Sequence, residues 1–127
     1  MYDAIVCVGR GGMIPSRLIS EILDIRTIVF AEAHAYNDDD VLGKIVCNVK
    51  LPLNVKNVLV IDDCMTTGTT LNALTTKLRK KLGKYAIIDV GVLYKNKHLE
   101  DKNVMFGTKY DADKIWIVFP WESTKVK

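Results

Sequence analysis

The segment VLVIDDCMTTGTTL, residues 58–71, constrains the fold more than any other part of the chain. Four apolar residues run from Val58 to Ile61 directly into the neighbouring carboxylates of Asp62 and Asp63. A continuous apolar run of this kind is typical of a strand that is buried on both faces of a parallel sheet. The turn that follows is rich in threonine and glycine, and it leads into a helical pattern. The segment therefore predicts a strand, a polar turn and a helix in an α/β domain.

Apolar strands alternate with helices along the rest of the chain, which predicts a mostly parallel sheet flanked by helices in one domain over residues 1–127. Strands are predicted at 3–8, 26–32, 44–49, 58–62, 85–93 and 115–118, and helices at 14–23 and 69–82. The polar segment AYNDDDVLGK, residues 35–44, predicts a mobile loop. Its three acids, Asp38, Asp39 and Asp40, either bind a cation or are simply solvated.

Composition excludes several classes of function. No apolar run approaches the roughly 18 residues that span a membrane, and the start MYDAIVCVGRGG lacks the features of a signal peptide. A net charge of +3 suits a small anionic substrate but is too weak to indicate nucleic acid. The three cysteines, Cys7, Cys47 and Cys64, form no CxxC pair, so we expect reduced thiols in a cytoplasmic protein.

The acidic pair and the threonine-rich turn predict a binding site. Ligands of open α/β sheets bind beyond the carboxyl ends of the strands, where Asp62 and Asp63 are placed. The turn leads into a helix start, whose backbone N–H groups can hold a phosphate, while carboxylates can hold sugar hydroxyls or Mg²⁺. A sugar phosphate with a second, metal-bound phosphate group needs all of these groups together. Helix capping alone would explain only one acid and one threonine.

A second segment, VGRGGMIP at residues 8–15, follows the first predicted strand. Its glycines allow unusual backbone angles, and Arg10 supplies a fixed cation that suits phosphate oxygens. By itself a glycine turn between a strand and a helix is common. Together with residues 58–71, this turn indicates a second anion-binding loop.

Residues 58–71 resemble the phosphoribosyl pyrophosphate (PRPP) motif of the type I phosphoribosyltransferases. The resemblance implies the fold of that family and Mg²⁺-dependent use of PRPP. It implies that the acids hold the ribose hydroxyls and that the following loop holds the 5′-phosphate. The residues concerned are Asp62, Asp63, Thr66, Thr67, Gly68, Thr69 and Thr70, with the first three at the catalytic centre. It likewise implies that Arg10, Gly11 and Gly12 bind pyrophosphate, with a cis peptide bond at Gly9–Arg10.

The segments GVLYKNK and IWIVFPWE are similar to those of the xanthine-guanine phosphoribosyltransferases, which act on 6-oxopurines. The resemblance implies that Lys95 donates to the purine 6-oxygen and that Trp116 stacks on the base. The backbone of Ile117 would meet the base edge, and Glu122 would share Mg²⁺ with Asp63. The implied partners are PRPP and a purine base or purine nucleoside monophosphate, without nucleic acid or membrane, in a homodimer.

Two departures from the family pattern leave alternatives open. At the position of Thr66, purine enzymes of the family usually carry an aspartate, which is the candidate base at purine N7. A threonine hydroxyl cannot take up a proton near neutral pH. The N-terminal extension that helps form the hood over the base is missing, so the hood is expected to be reduced or absent. The alternatives are a non-catalytic regulator that binds PRPP or nucleotides, and an enzyme for another base such as orotate.

Overall fold

The computed structural model describes residues 1–38, 41–100 and 103–122, and residues 34–38 and 41–46 by their backbone alone. The strands are β1 (Ala4–Val8), β2 (Ile28–Asp38), β3 (Val41–Val49), β4 (Val58–Met65), β5 (Ile88–Asn96) and β6 (Val104–Tyr110). The helices are α1 (Met13–Leu23) and α2 (Thr69–Leu82), and a short 3₁₀ turn covers Pro120–Glu122. None of the helices in the described ranges has both the length and the apolar character that crossing a bilayer requires.

The strands form one sheet in the order β3-β2-β1-β4-β5-β6. Every neighbouring pair is parallel except β2 and β3, which run antiparallel as a hairpin. The two most apolar strands, β1 and β4, lie at the centre, where both of their faces are covered. The predicted sheet, mostly parallel and flanked by helices, is therefore confirmed.

Side chains alternate between the two faces of the central strands. Val6 and Val60 point to the larger core cluster, which α2 covers, whereas Ile5 and Leu59 belong to a smaller cluster on the other face. Helix α2 buries Leu71, Leu74 and Leu78, three residues at helical spacing. The helix ends at Gly83, whose φ of 93° is costly for other residues. This packing fixes the start of α2 beside the end of β4.

Two predicted elements differ from the structure, the loop at 35–44 and the strand at 115–118. The backbone of 35–38 and 41–44 is paired in the β2–β3 hairpin, so the predicted mobile loop is wrong there. A hairpin arm is held by backbone hydrogen bonds and therefore leaves no apolar period in the sequence. The acids Asp39 and Asp40, and the side chain of Asp38, lie outside the described residues.

The last strand of the sheet is also misplaced by the sequence pattern. The apolar run 115–118 predicted a strand, but it has no regular structure, and its side chains at 115, 116 and 118 are exposed. The edge strand is instead β6, in which Met105 and Phe106 remain about half exposed and Gly107 packs on the backbone of Leu93. Consecutive residues of β6 are exposed from Met105 to Lys109, so both faces are largely open and the sequence gives a weak signal.

Candidate functional site

A cleft of about 1150 Å³ opens beyond the carboxyl-terminal ends of β1 and β4 and beside the middle of β2. Its walls are formed by the turn after β1, the turn after β4 and the segment that ends in the 3₁₀ turn. This is the edge at which open α/β sheets bind their ligands. The predicted site residues that line it are Arg10, Gly11, Asp62, Asp63, Thr66, Thr67, Gly68, Thr70 and Glu122.

The remaining predicted site residues lie outside the lining of this cleft. Gly12 and Thr69 sit one residue away from lining positions, inside the same two turns. Lys95 is buried at 4% exposure in β5, with its Nζ 5.5 Å from the ring centroid of Phe106. Trp116 is 86% exposed, and Ile117 is half-buried.

Phe30, Glu32 and Trp121 also line the cleft, although the sequence did not indicate them as site residues. Phe30 and Glu32 could have been identified as site residues from their position in β2, because β2 pairs with β1 directly beside the glycine turn. Trp121 stacks on Phe119 with ring centroids 4.8 Å apart and planes at 8°. Its Nε1 is buried and has no hydrogen-bond partner among the described residues.

Asp62 and Asp63 form a coupled acidic pair at the end of β4. The backbone N–H of Asp63 donates to Oδ1 of Asp62 at 2.8 Å. Burial, together with the hydrogen bond to Asp63 and the negative charge of Asp63, raises the pKa of Asp62 to about 8. The protonated form of Asp62 is therefore favoured at neutral pH, and binding of cationic or hydroxyl groups can release the proton.

We expect the unfolding free energy of the protein, measured in EDTA, to fall as pH rises from about 4 to about 8. The raised pKa of Asp62 means that the folded state holds a proton that the unfolded state releases above its ordinary pKa of 3.8. This stability is complete below that value and is lost as pH rises through the folded pKa. Asp62→Asn should remove a decline of about 4 kcal/mol between pH 5 and pH 9, because the folded pKa is about 8 and each pH unit below it corresponds to about 1.4 kcal/mol. Urea unfolding at both pH values tests this, and parallel declines in both proteins would refute it.

The glycine turn after β1 places the backbone close to the acidic pair. Gly9 has a φ of 50°, and the Gly9–Arg10 peptide bond is trans, so the expected cis peptide bond is wrong. The left-handed conformation of Gly9 is what bends the chain here. A Cβ added at Gly11 would lie 2.5 Å from Oδ2 of Asp63, so the bare backbone of Gly11 packs directly on that carboxylate.

The turn after β4 presents its backbone N–H groups at the start of α2. Gly68 occupies the N-cap position with a φ of 80°, and no side chain caps the helix. Oγ1 of Thr67 and Oγ1 of Thr69 lie 3.1 Å apart, and the N–H of Thr69 makes a long contact of 3.4 Å with Thr67. No acidic residue occupies the first turn of α2, so these N–H groups can receive an anion.

Carboxylates from two separate parts of the chain line the cleft. Glu122 lies in the 3₁₀ turn, where its Oε1 accepts a hydrogen bond of 3.1 Å from the N–H of Phe119. Asp63 lies at the end of β4 in the same lining. Hard oxygen ligands of this type fit Mg²⁺, which keeps several waters and takes one or two carboxylates.

A separate group of His98, Asp111 and Asp113 lies at the ends of β5 and β6. Its ligand-type atoms are within 4.8 Å of one another, and Nε2 of His98 is 2.8 Å from Oδ1 of Asp111. The hydrogen bond from His98 lowers the pKa of Asp111. These groups satisfy one another at the surface and do not line the cleft.

The chain matches a known family along most of its length. The family profile described as phosphoribosyl transferase domain matches residues 2–124. The xanthine-guanine phosphoribosyltransferase of Idiomarina loihiensis is 29% identical over 125 residues, which cover 95% of this chain and 71% of the relative. The hypoxanthine-guanine phosphoribosyltransferase of Saccharomyces cerevisiae is 30% identical over 169 aligned positions, which cover 98% of this chain and 76% of the relative.

Solved structures show the same similarity in three dimensions. The crystal structure of a purine phosphoribosyltransferase from Pyrococcus horikoshii superposes with a TM-score of 0.78. The two sequences are 30% identical, and the match covers 99% of this chain and 80% of the other. The similarity therefore covers the whole sheet and both turns that line the cleft.

Proposed function

Because this chain belongs to the phosphoribosyl transferase domain family, we propose that it transfers the 5-phosphoribosyl group of PRPP to a 6-oxopurine such as guanine, xanthine or hypoxanthine. The products are the purine nucleoside 5′-monophosphate and pyrophosphate, so the enzyme serves purine salvage. The observation that carries this proposal is the cleft that joins the acidic pair, the threonine turn and the glycine–arginine turn. The names of the two curated relatives support the 6-oxopurine as acceptor.

The acidic pair and the turn after it hold the ribose 5-phosphate part of PRPP. Asp62 and Asp63 accept hydrogen bonds from the ribose hydroxyls. The uncapped N–H groups at the start of α2 receive the 5′-phosphate, together with the hydroxyls of the turn. The residues assigned to the 5′-phosphate are Thr66, Thr67, Gly68, Thr69 and Thr70.

Pyrophosphate lies against the turn after β1. Arg10 and Gly11 line the cleft, where Arg10 supplies a positive charge and Gly11 has no side chain to hinder the phosphates. We assign the neighbouring Gly12, which is buried, to the same pyrophosphate-binding turn. We assign Mg²⁺ to Asp63 and Glu122, whose carboxylates line the same cleft. The ion would neutralise charge on the departing pyrophosphate.

The reaction exchanges one bond at ribose C1 for another. The bond to the pyrophosphate oxygen breaks, a bond to a purine ring nitrogen forms, and that nitrogen loses its proton. Thr66 lies where the purine enzymes of the family carry an aspartate, and a hydroxyl is no base at neutral pH. The proton therefore leaves to water, and we expect turnover with purines to be slow.

The acceptor base is assigned to Lys95, Trp116 and the backbone of Ile117. Val118, two residues after Trp116, lines the cleft, which supports this segment as a wall of the base site. Trp116 is 86% exposed without ligand, so stacking requires its indole ring to turn towards the cleft. A lysine donor favours a 6-oxo group over a 6-amino group.

We expect Trp116→Ala to raise KM for the purine about tenfold, because a stacked base gains about 1–3 kcal/mol from an aromatic face. KM for PRPP should stay unchanged. Tyr85→Ala serves as the matched control, since Tyr85 is 88% exposed and lies outside the cleft. An unchanged purine KM would remove Trp116 from the base site.

The function is tested by incubating the chain with Mg²⁺ and PRPP and each of guanine, hypoxanthine, xanthine, adenine and orotate. Chromatography should detect the nucleotide of a 6-oxopurine. Formation of orotidine monophosphate alone would reassign the acceptor. Binding of PRPP or nucleotide without any turnover would replace the enzyme with a regulator.

The assembly that fits this chain best is a homodimer in the cytoplasm. Helix α1 presents Ile14, Leu18 and Ile22 at exposures of 43%, 58% and 74%, an apolar row at four-residue spacing. Free Cys7, Cys47 and Cys64 suit a reducing compartment. Sedimentation equilibrium tests the dimer, and Leu18→Glu should shift it to monomer.

A further inference from the structure

Tyr110, the last residue of β6, reaches from the far side of the sheet to the turn after β4. Its hydroxyl lies 2.8 Å from Oγ1 of Thr66 and 3.0 Å from Sγ of Cys64. Neither contact is local in sequence, because 44 and 46 residues separate the partners. The pairing of β5 with β6 is what brings Tyr110 to this position.

The backbone of Thr66 is fixed by a second contact from the same side. Nδ2 of Asn96 donates to the carbonyl oxygen of Thr66 at 2.8 Å. Asn96 is only 8% exposed, and its Oδ1 accepts from the N–H groups of His98 and Ala112. Thr66 is therefore held through its main chain by β5 and through its side chain by β6.

The hydrogen bonds of this group have a preferred direction. The thiol of Cys64 donates to the oxygen of Tyr110. With Cys64 as donor to the phenol oxygen, the one proton of Tyr110 is directed to Oγ1 of Thr66 at 2.8 Å. The phenol of Tyr110 is protonated at neutral pH, and burial raises its pKa above the ordinary value.

The consequence for Thr66 is a hydroxyl whose hydrogen is not used by Tyr110. Its oxygen accepts from Tyr110, Sγ of Cys64 lies 3.9 Å from the same oxygen, and the side chain lines the cleft. A hydroxyl arranged in this way is a donor towards the ligand. It recognises an acceptor atom, either an oxygen of the 5′-phosphate or an unprotonated ring nitrogen of the purine.

We propose that Tyr110 is a positioning residue that fixes the hydroxyl of Thr66 as a hydrogen-bond donor to an acceptor atom of the bound ligand. This rests on the proposed function, since the ligand is taken to be PRPP, the purine or the nucleotide. In this arrangement Thr66 contributes binding and orientation where a carboxylate would contribute a base.

The test is Tyr110→Phe, which removes one oxygen and keeps the ring. We expect kcat/KM and the affinity for guanosine 5′-monophosphate to fall about fivefold to tenfold, the effect of one hydrogen bond. Tyr94→Phe is the matched control, because Tyr94 contacts the ring of Tyr110 edge-on and does not line the cleft. Equal losses in both variants would overturn the proposal.

The variant Thr66→Val distinguishes a Tyr110 that positions Thr66 from a Tyr110 that only stabilises the fold. With the Thr66 hydroxyl absent, Tyr110→Phe should have no further effect on ligand affinity, so the double variant should match Thr66→Val. Additive losses would show that Tyr110 acts through the fold, and would refute the proposal. Melting temperatures of all variants report any general loss of stability.

Binding measurements with guanosine 5′-monophosphate and with guanosine identify the acceptor atom. If a phosphate oxygen is the acceptor, Tyr110→Phe weakens guanosine 5′-monophosphate and spares guanosine. If a ring nitrogen is the acceptor, both ligands weaken equally. No change with either ligand refutes the proposal. Because calorimetry measures binding without turnover, an inactive wild-type protein would contradict the proposed function and leave this test intact.

Discussion

Asp63→Asn should lower kcat/KM for PRPP by about 100-fold to 1,000-fold, the equivalent of about 3–4 kcal/mol. The carboxylate of Asp63 lies against the backbone of Gly11, so it connects the acidic pair to the turn after β1. Asparagine keeps the shape but loses the charge, and with it charge-assisted hydrogen bonds to ribose and an oxygen ligand for Mg²⁺. Initial rates at varied PRPP, with saturating purine and Mg²⁺, measure the effect.

The matched control for this change is Asp113→Asn. Asp113 has a side chain that is 81% exposed and does not line the cleft, so its rate should stay within twofold of wild type. Removal of Mg²⁺ by EDTA should abolish turnover in every variant. If Asp63→Asn keeps more than a third of the wild-type kcat/KM, Asp63 is not part of the PRPP site.

The central elements of the fold could be predicted because their residue patterns reflect how they are buried. Strand β4 is apolar on both faces, and α2 was predicted with its observed bounds because Gly83 ends a clear helical period. The same run carries the acidic pair, so the two turns of the candidate site were located with it. Burial on both faces and a glycine at a left-handed position are local signals.

The edges of the sheet could not be predicted in this way. The β2–β3 hairpin is extended by backbone pairing through a polar segment, and β6 is largely open on both faces. In contrast, the apolar run at 115–118 has the composition of a buried strand but lies at the surface. Backbone pairing of exposed strands leaves little trace in the pattern of apolar residues. An apolar run alone does not show whether another element covers it.

Contacts between distant elements are a second limit. The sequence placed Thr66 in the site, but it did not indicate that Tyr110 and Asn96 hold it. Those contacts depend on the order of strands in the sheet, which brings β5 and β6 to one edge of the turn. The residues that orient a site are thus less visible in the sequence than those that line it.

We expect alanine at Gly12 to reduce mainly stability and alanine at Gly11 to reduce mainly activity. A Cβ at Gly12 would lie 2.5 Å from the carbonyl oxygen of Ile61 and 2.9 Å from that of Val8. Both atoms belong to central strands that cannot move, so Gly12→Ala should reduce the unfolding free energy by about 3 kcal/mol. Urea unfolding measures this loss.

A Cβ at Gly11 meets the carboxylate of Asp63 at 2.5–2.8 Å, and that side chain can rotate away. Gly11→Ala should therefore change the unfolding free energy by less than about 1 kcal/mol but lower kcat/KM for PRPP at least about tenfold, because a displaced carboxylate no longer meets its ligands. Urea unfolding and initial rates on both variants separate the two effects. Equal losses of stability at Gly11 and Gly12 would show that alanine disrupts the whole turn at either position. That result would contradict our inference that the close packing of Gly11 on Asp63 links the turn after β1 to the acidic pair.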